Sequence, residues 1–304
     1  MATTLRVRAP AKINLALGVG PLRQDGFHEL ATVYQAVSLF DELEVTDRAD
    51  GRGLRISVAG RESGAVPSGR DNLAWKAAAL AAQVFDRSPD LTITIDKGIP
   101  VAGGMAGGSA DAAAVLRACA HLWDPDGYAE SELLELAAEL GSDVPFALLG
   151  GTAVGAGRGE LVTSAMGSGE FHWVLALSDS QLSTPAVYRA LDDLRGPAGS
   201  PPHIPPEVLW AVRTGDAAAL GKALTNDLQD AACSLMPVLE MVLDLGPEHG
   251  ALGSIVSGSG PTCAFLVADQ EAAMEMAVAL SASGLCRAVR RAVAPVPGAA
   301  VVDD

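Results

Sequence analysis

The chain has 304 residues, 49% of them apolar, enough for a sizeable core and, at ordinary domain sizes, for two domains. Its 21 basic residues face 37 acidic ones, and a formal charge of −16 argues against broad binding to nucleic acid or an anionic membrane. The four cysteines have no Cys-x-x-Cys spacing, the five histidines form no ligand cluster, and neither a signal peptide nor a membrane-length apolar run is evident, so a cytoplasmic protein with reduced thiols is expected.

Residues 5–19 read as a strand. Ile13, Leu15 and Leu17 fall on one face, while Lys12 and Asn14 share the other with Ala16 and Gly18. Those small neighbours would let a ligand approach the two polar side chains, although a solvated strand face is the plainer account. Asp25-Gly26 marks a turn, followed by Phe27 and His28. A phenyl ring can stack on a planar base and an imidazole can bond its edge, although packing explains each residue alone.

Strand patterns continue at 32–40, 42–47 and 54–59, with a hairpin signal at Asp50-Gly51-Arg52-Gly53. A helix opens at Asn72-Leu73 with Asp71 as its N-cap and runs to about residue 85. The strand at 91–95 leads into Lys97-Gly98-Ile99-Pro100-Val101-Ala102-Gly103-Gly104-Met105-Ala106-Gly107-Gly108-Ser109-Ala110, ahead of a helix at 112–121. Two glycine pairs before a helix leave backbone N–H groups uncovered, with the positive end of the helix dipole behind them, which suits phosphate. The loop lacks the Lys-Ser/Thr of a Walker A sequence and the spacing of Rossmann and protein-kinase loops. Only four lysines occur in the chain, and Lys97 directly precedes this loop.

A helix at 131–140, launched by Ser131, ends at Gly141; Asp143 then sits in the first turn of a short helix, where a carboxylate complements the dipole. Glycine-punctuated turn and strand close a first domain of residues 1–165. The second, residues 166–304, begins with a strand at 173–177. Thr184-Pro185 then starts a helix carrying Tyr188, with Thr184 as its cap. The stretch 196–206, rich in Pro, Gly and Ser, reads as a mobile loop. Helical patterns follow at 206–214, 217–224, 237–245 and 270–283, and strands at 254–256, 263–268 and 287–294. Ser257-Gly258-Ser259-Gly260-Pro261-Thr262 forms a second glycine-rich turn, and the tail from residue 295 is expected to be disordered.

Taken together and in order, Pro10-Ala11-Lys12-Ile13-Asn14-Leu15, Asp25-Gly26-Phe27-His28-Glu29-Leu30, the glycine loop, Gly141-Ser142-Asp143-Val144-Pro145-Phe146 and the second glycine-rich turn resemble the GHMP kinase superfamily. The resemblance spans nearly the whole chain. It implies an α+β fold of two domains, the first like the second domain of ribosomal protein S5 and the second the α+β domain of GHMP kinases, with the active site in the cleft between them. The first two stretches point to the branch whose acceptor carries a cytidine diphosphate. There ATP, with Mg²⁺, would phosphorylate the 2-hydroxyl of a methylerythritol unit on the non-mevalonate route to isoprenoids. No nucleic acid or membrane partner is implied, and a monomer or weak homodimer is expected.

Residue by residue, the resemblance makes Lys12 and Asp143 the catalytic pair. It gives Asn14, Phe27, His28, Thr184 and Tyr188 to the cytidine-diphosphate end, and the loop from Pro100 through Val101, Ala102, Gly103, Gly104, Met105, Ala106, Gly107, Gly108 and Ser109 to Ala110 to the ATP phosphates. Asn72, Leu73 and Lys97 fall near the adenosine. Ser109 is able to meet phosphate or Mg²⁺, the metal ligands being otherwise open, and Ser257, Gly258, Ser259 and Gly260 lie near the site. Phe27 replaces the more usual Tyr, which keeps stacking and loses a phenolic hydrogen bond. Ala102 and Ala106 replace usual glycines, so ordinary alanine conformations are expected at both. Competing readings are a homoserine- or mevalonate-type kinase, a silent binding protein on the same fold, and an S5-like nucleic-acid binder. Asn226-Asp227-Leu228 also matches a family segment, with no role assigned.

Overall fold

The computed structural model describes residues 2–48, 50–60, 62–63, 66–101, 103–124, 127, 130–196 and 200–302. Two long antiparallel strands, β1 (Thr3–Leu22) and β2 (His28–Asp47), found the first sheet. β2 is continuous where the sequence pattern breaks at Asp41. That carboxylate is buried and accepts from the N–H groups of Gly98 and Ile99 and from Lys97 Nζ, so no turn is needed to solvate it. β1 is irregular between Asn14 and Ala16. A bulge shifts the period-two alternation. Ile13 and Leu15 therefore pack in one core while Leu17 joins another, and the single apolar face expected of the three does not persist.

β3 (Arg55–Gly60) and β4 (Leu91–Lys97) are parallel neighbours, with β4 against β2. Residues 50–53 thus close no hairpin; the crossover that a parallel pair requires contains α1 (Leu73–Val84). The N-cap of α1 is Asn72 rather than Asp71, its side chain accepting from Ala74 N at 2.8 Å. α2 (Gly107–Trp123) starts at the second glycine pair, earlier than its apolar pattern. Buried alanines on both helices, among them Ala74, Ala78, Ala110 and Ala114, thicken the core against the sheet. α3 (Glu130–Leu140) and α4 (Val144–Leu149) follow, and β5 (Thr152–Ala156) and β6 (Leu161–Ser164) extend the sheet from β2.

β7 (Phe171–Leu177) opens the second sheet and precedes α5 (Thr184–Arg195), α6 (Pro206–Thr214) and α7 (Ala217–Ala223). Two short elements without a sequence signature come next, β8 (Thr225–Asn226) and α8 (Gln229–Leu235). The chain then forms α9 (Val238–Glu248), β9 (Gly253–Val256), β10 (Cys263–Val267), α10 (Gln270–Ser283), β11 (Ala288–Ala294) and β12 (Ala300–Val302). The second sheet runs β11-β7-β10-β9, all antiparallel. Alternation along it splits the interior. Trp173, Leu175 and Leu266 face the core shared with the first sheet, while Val174, Phe265 and Val267 face Val187, Leu191, Val242 and Met276.

Residues 295–302 of the tail expected to be disordered are ordered. β12 pairs with β1 through Arg6↔Val302, Val7↔Val301 and Arg8↔Ala300, and buried Ala299 donates to Ala147 O. Pro197, Ala198 and Gly199 of the loop expected to be mobile lie outside the described residues, but His203 packs its backbone on Gly18. A Cβ there would meet His203 N at 2.8 Å, so Gly18 serves that chain crossing rather than a ligand. Among the described residues no helix is long and apolar enough to cross a membrane.

Candidate active site

β1 delivers Lys12 and Asn14 to the centre of the molecule. The Lys12 side chain is 8% exposed and its ammonium donates to Asn14 Oδ1 at 2.8 Å. Asn14 Nδ2 donates to Thr32 Oγ1, also at 2.8 Å, and that hydroxyl donates to Ala16 O. Asn14 is therefore committed to fixing Lys12 as well as lining the cavity beside it. Across from Lys12 stands Asp143, at the N-cap position of α4. Its carboxylate makes no capping bond and lies 3.9 Å from Lys12 Nζ. A role confined to the helix dipole does not account for that placement.

The two glycine-rich turns meet over this pair. Lys12 N donates to Met105 O, and Ser257 Oγ donates to Gly104 O at 3.2 Å. Gly104 has φ +73°, and a Cβ on it would collide with Ser257 O. Gly258, at φ +58°, would place a Cβ 3.2 Å from Lys12 Nζ. Glycine is required at both for conformation and for closeness. Asn226 holds the second turn from behind, its Nδ2 donating to Val256 O and Gly258 O, each at 2.8 Å. That gives the previously unassigned segment a structural task, completed by Asp227, which accepts from Val19 N and pairs with Arg195.

One cavity of about 400 Å³ follows the glycine loop. Asn72, Leu73, Lys97, Pro100, Val101, Gly103, Gly104, Ala106, Gly107 and Gly108 line it. Met105 and Ala110 turn into the core, and Ser109 sits in the first turn of α2 outside that lining. Ala102 lies outside the described residues. Ala106 corrects one expectation: at φ +60° and ψ +32°, at the N-cap position of α2, it is left-handed, a conformation that costs an alanine about 1 kcal/mol. Asn72 is occupied by its cap and by donating to Pro67 O.

Lys97 is also committed. Its ammonium is 2% exposed and pairs with Asp41 and with Asp111 Oδ2 at 2.8 Å. Burial pulls the ammonium towards neutrality, but Asp111 and Asp41 outweigh it and raise its pKa. Burial pushes the Asp111 carboxyl up to about 8 against the attraction of Lys97, and it raises Asp41 as well. The triad ties β2, β4 and α2 together beneath the loop, and it was not legible in the sequence.

A second cavity, about 530 Å³, holds Phe27, His28, Thr184 and Tyr188. Ser183, rather than Thr184, occupies the N-cap position of α5, which frees Thr184 Oγ1 to bond Ser259 Oγ at 2.8 Å. Tyr188 places its ring 5.0 Å from that of His28, tilted by 36°. Phe27 is half exposed, with the Arg158 guanidinium 5.0 Å above its ring. Burial first, then the nearby Asp143 carboxylate, raises the pKa of Tyr188 and, well above its ordinary value, that of Tyr34. Tyr34, Arg158 and Asp192 also line this cavity, and no motif marked them. Only Asp192 had a partial signal, one turn beyond Tyr188 on α5; Tyr34 reaches the site through its pairing with Asn14, which the fold alone reveals. Lys12, Asp143, Thr184 and Ser259 line both cavities, so the two spaces meet at the Lys12–Asp143 pair.

Family models match both parts of this architecture: GHMP kinases N terminal domain over residues 72–151 and GHMP kinases C terminal over residues 208–285. A 4-diphosphocytidyl-2-C-methyl-D-erythritol kinase from Rhodococcus jostii is 53% identical over 98% of this chain and 95% of its own. The enzyme of that name from Streptomyces coelicolor is 52% identical over 99% of this chain and all of its own length. A crystal structure of 4-(cytidine 5'-diphospho)-2C-methyl-D-erythritol kinase superimposes with a TM-score of 0.75 at 32% identity, covering 97% of this chain and 100% of the other. The chain belongs to the GHMP kinases, with their two-domain fold, and within them to the 4-diphosphocytidyl-2-C-methyl-D-erythritol kinases.

Proposed function

We propose that this chain transfers the γ-phosphoryl group of ATP to the 2-hydroxyl of 4-diphosphocytidyl-2-C-methyl-D-erythritol, giving the 2-phosphate and ADP on the non-mevalonate route to isoprenoid precursors. The observation that carries this reading is the shared border of the two cavities, where Lys12 and Asp143 stand together. Phosphoryl transfer depends mainly on positioning and on stabilising charge. Asp143 is placed to accept or orient the proton of the acceptor hydroxyl. Lys12, held by Asn14, is placed to stabilise charge developing on the attacking oxygen. The loop N–H groups at the start of α2 suit the ATP phosphates, and the ring of Phe27 with those of Tyr188 and His28 suits cytosine.

Asn72, Leu73 and Lys97 border the adenosine side in this reading. Lys97 acts there as the support of the loop, since both its carboxylate partners are internal. Among the described residues no cluster of three or more His, Cys, Asp or Glu is arranged to hold a metal. In this reading Mg²⁺ arrives on the nucleotide phosphates; Ser109, the hydroxyl expected to meet it, sits in the first turn of α2 outside the cavity lining. Bound there, the metal would neutralise phosphate charge. A domain boundary near residues 165 and 166 is supported by the change of sheet between β6 and β7. A cytoplasmic setting belongs to the same reading.

An ATP-consumption assay with Mg²⁺ tests the reading against four acceptors: the cytidylyl-methylerythritol compound, its fragment without the nucleotide, homoserine and mevalonate. Turnover confined to the first is expected. Preference for homoserine or mevalonate would replace it with the corresponding small-alcohol kinase, and no turnover of any would favour a binding protein.

A further inference from the structure

His28 is buried, with a side chain only 6% exposed, yet it borders the acceptor cavity. One of its two ring nitrogens is already engaged: Nε2 lies 2.9 Å from Oδ1 of Asp192 on α5. Asp192 follows Tyr188 by four residues, so one face of α5 brings both side chains to the imidazole. A carboxylate accepts hydrogen bonds and does not donate them, so the proton of this contact belongs to Nε2. Nδ1 is then the ring nitrogen left for a ligand. Without such an anchor an imidazole can turn over about its Cβ–Cγ bond and exchange the two nitrogens, and the partner of one nitrogen sets the role of the other.

We propose that Asp192 is a positioning residue for recognition of the nucleobase: it holds His28 through Nε2 so that Nδ1 addresses the base. The proposal rests on the reading of this cavity as the cytidine end of the acceptor. The alternative is a strap that only fastens α5 to β2. A strap would not care which acceptor was offered, and its loss would add to the loss of His28. A positioning contact acts through His28 and disappears with it.

Steady-state kinetics on the full chain separates the two. Asp192→Ala is expected to raise KM for the cytidylyl substrate about tenfold, the scale of one lost charge-assisted hydrogen bond, with the effect on KM rather than kcat and with KM for ATP little changed. Asp192→Asn keeps an acceptor oxygen and recovers most of the loss. In a His28→Ala background Asp192→Ala adds less than about twofold, because coupled residues are not additive. Asp193→Ala, the neighbouring carboxylate, leaves KM unchanged. Nitrogen-15 spectra of the histidine rings should show His28 protonated at Nε2. A bare Nε2, an Asp192→Ala effect of full size without His28, or a loss confined to kcat would overturn the assignment. Wild-type turnover that ignores the cytidylyl group would instead sink the functional reading, and this proposal with it.

Discussion

In the proposed reading Asp143 is the side chain on which the chemistry turns, and its surroundings bear on why aspartate stands there. It occupies a helix N-cap position without making the capping bond, so a stabilising contact commonly worth about 1 kcal/mol is left unmade. The carboxylate faces both cavities instead, with Lys12 3.9 Å away. Asp143→Asn preserves shape and removes the proton acceptor. A fall in kcat of about 10²–10⁴ is expected, with the affinity for ATP largely kept. Near-normal kcat in a coupled assay would remove Asp143 from the chemistry. That Lys12 and Asp143 would stand together was legible from sequence because each lies in a distinctive string of neighbours. Tyr34, Arg158 and Asp192 were not, because what marks them is a neighbour far along the chain, Asp143, Phe27 and His28 respectively.

At the scale of elements, helices and most strands followed from periodicity and caps, whereas pairings did not. Nothing in residues 54–59 announces that β3 will lie parallel to β4 rather than fold back on β2. Nor does an alanine announce a left-handed backbone, as at Ala106. The triad beneath the loop is the clearest case, since Asp41, Lys97 and Asp111 come from β2, β4 and α2 and meet only once all three have packed. It has a consequence for stability. Burial raises the Asp111 carboxyl to about 8 from an ordinary 3.8, so between those values the folded chain keeps a proton that the unfolded chain releases. The stability this proton confers is complete below about pH 4 and is lost as pH rises towards 8, at up to about 1 kcal/mol per pH unit. Asp111→Asn mimics the protonated carboxyl and does not titrate. Its stability relative to wild type, from urea unfolding at pH 5, 7 and 9, should therefore rise with pH and level off above 8. A difference independent of pH would mean that Asp111 stays ionised in the folded protein.

At the scale of the molecule, the two halves are not independent bodies. Trp173, Leu175, Ile255 and Leu266 of the second sheet share a core with Ile13, Ile93 and Leu116 of the first half. Trp173 Nε1 donates to Gln35 Oε1, and Val293 N donates to Ser38 Oγ. The chain end also returns: β12 adds to β1, and Arg117 donates to Ala299 O at 3.1 Å. Because β1 carries Lys12 and is paired by β2, β8 and β12, the candidate site is seated where both halves are fastened. Heat should then unfold the protein in a single transition, since neither sheet keeps a complete interior without the other. A chain ending at Pro297 loses β12, the buried Ala299 and the hydrogen bonds of both. At about 1 kcal/mol for each net hydrogen bond, and about 2–4 °C per kcal/mol in a protein of this size, Tm should fall by roughly 5–10 °C while the transition stays single. Calorimetry of the two chains decides the matter. An unchanged Tm would make the last strand an accessory, and a transition that splits in two would mean that the shared core does not couple the halves.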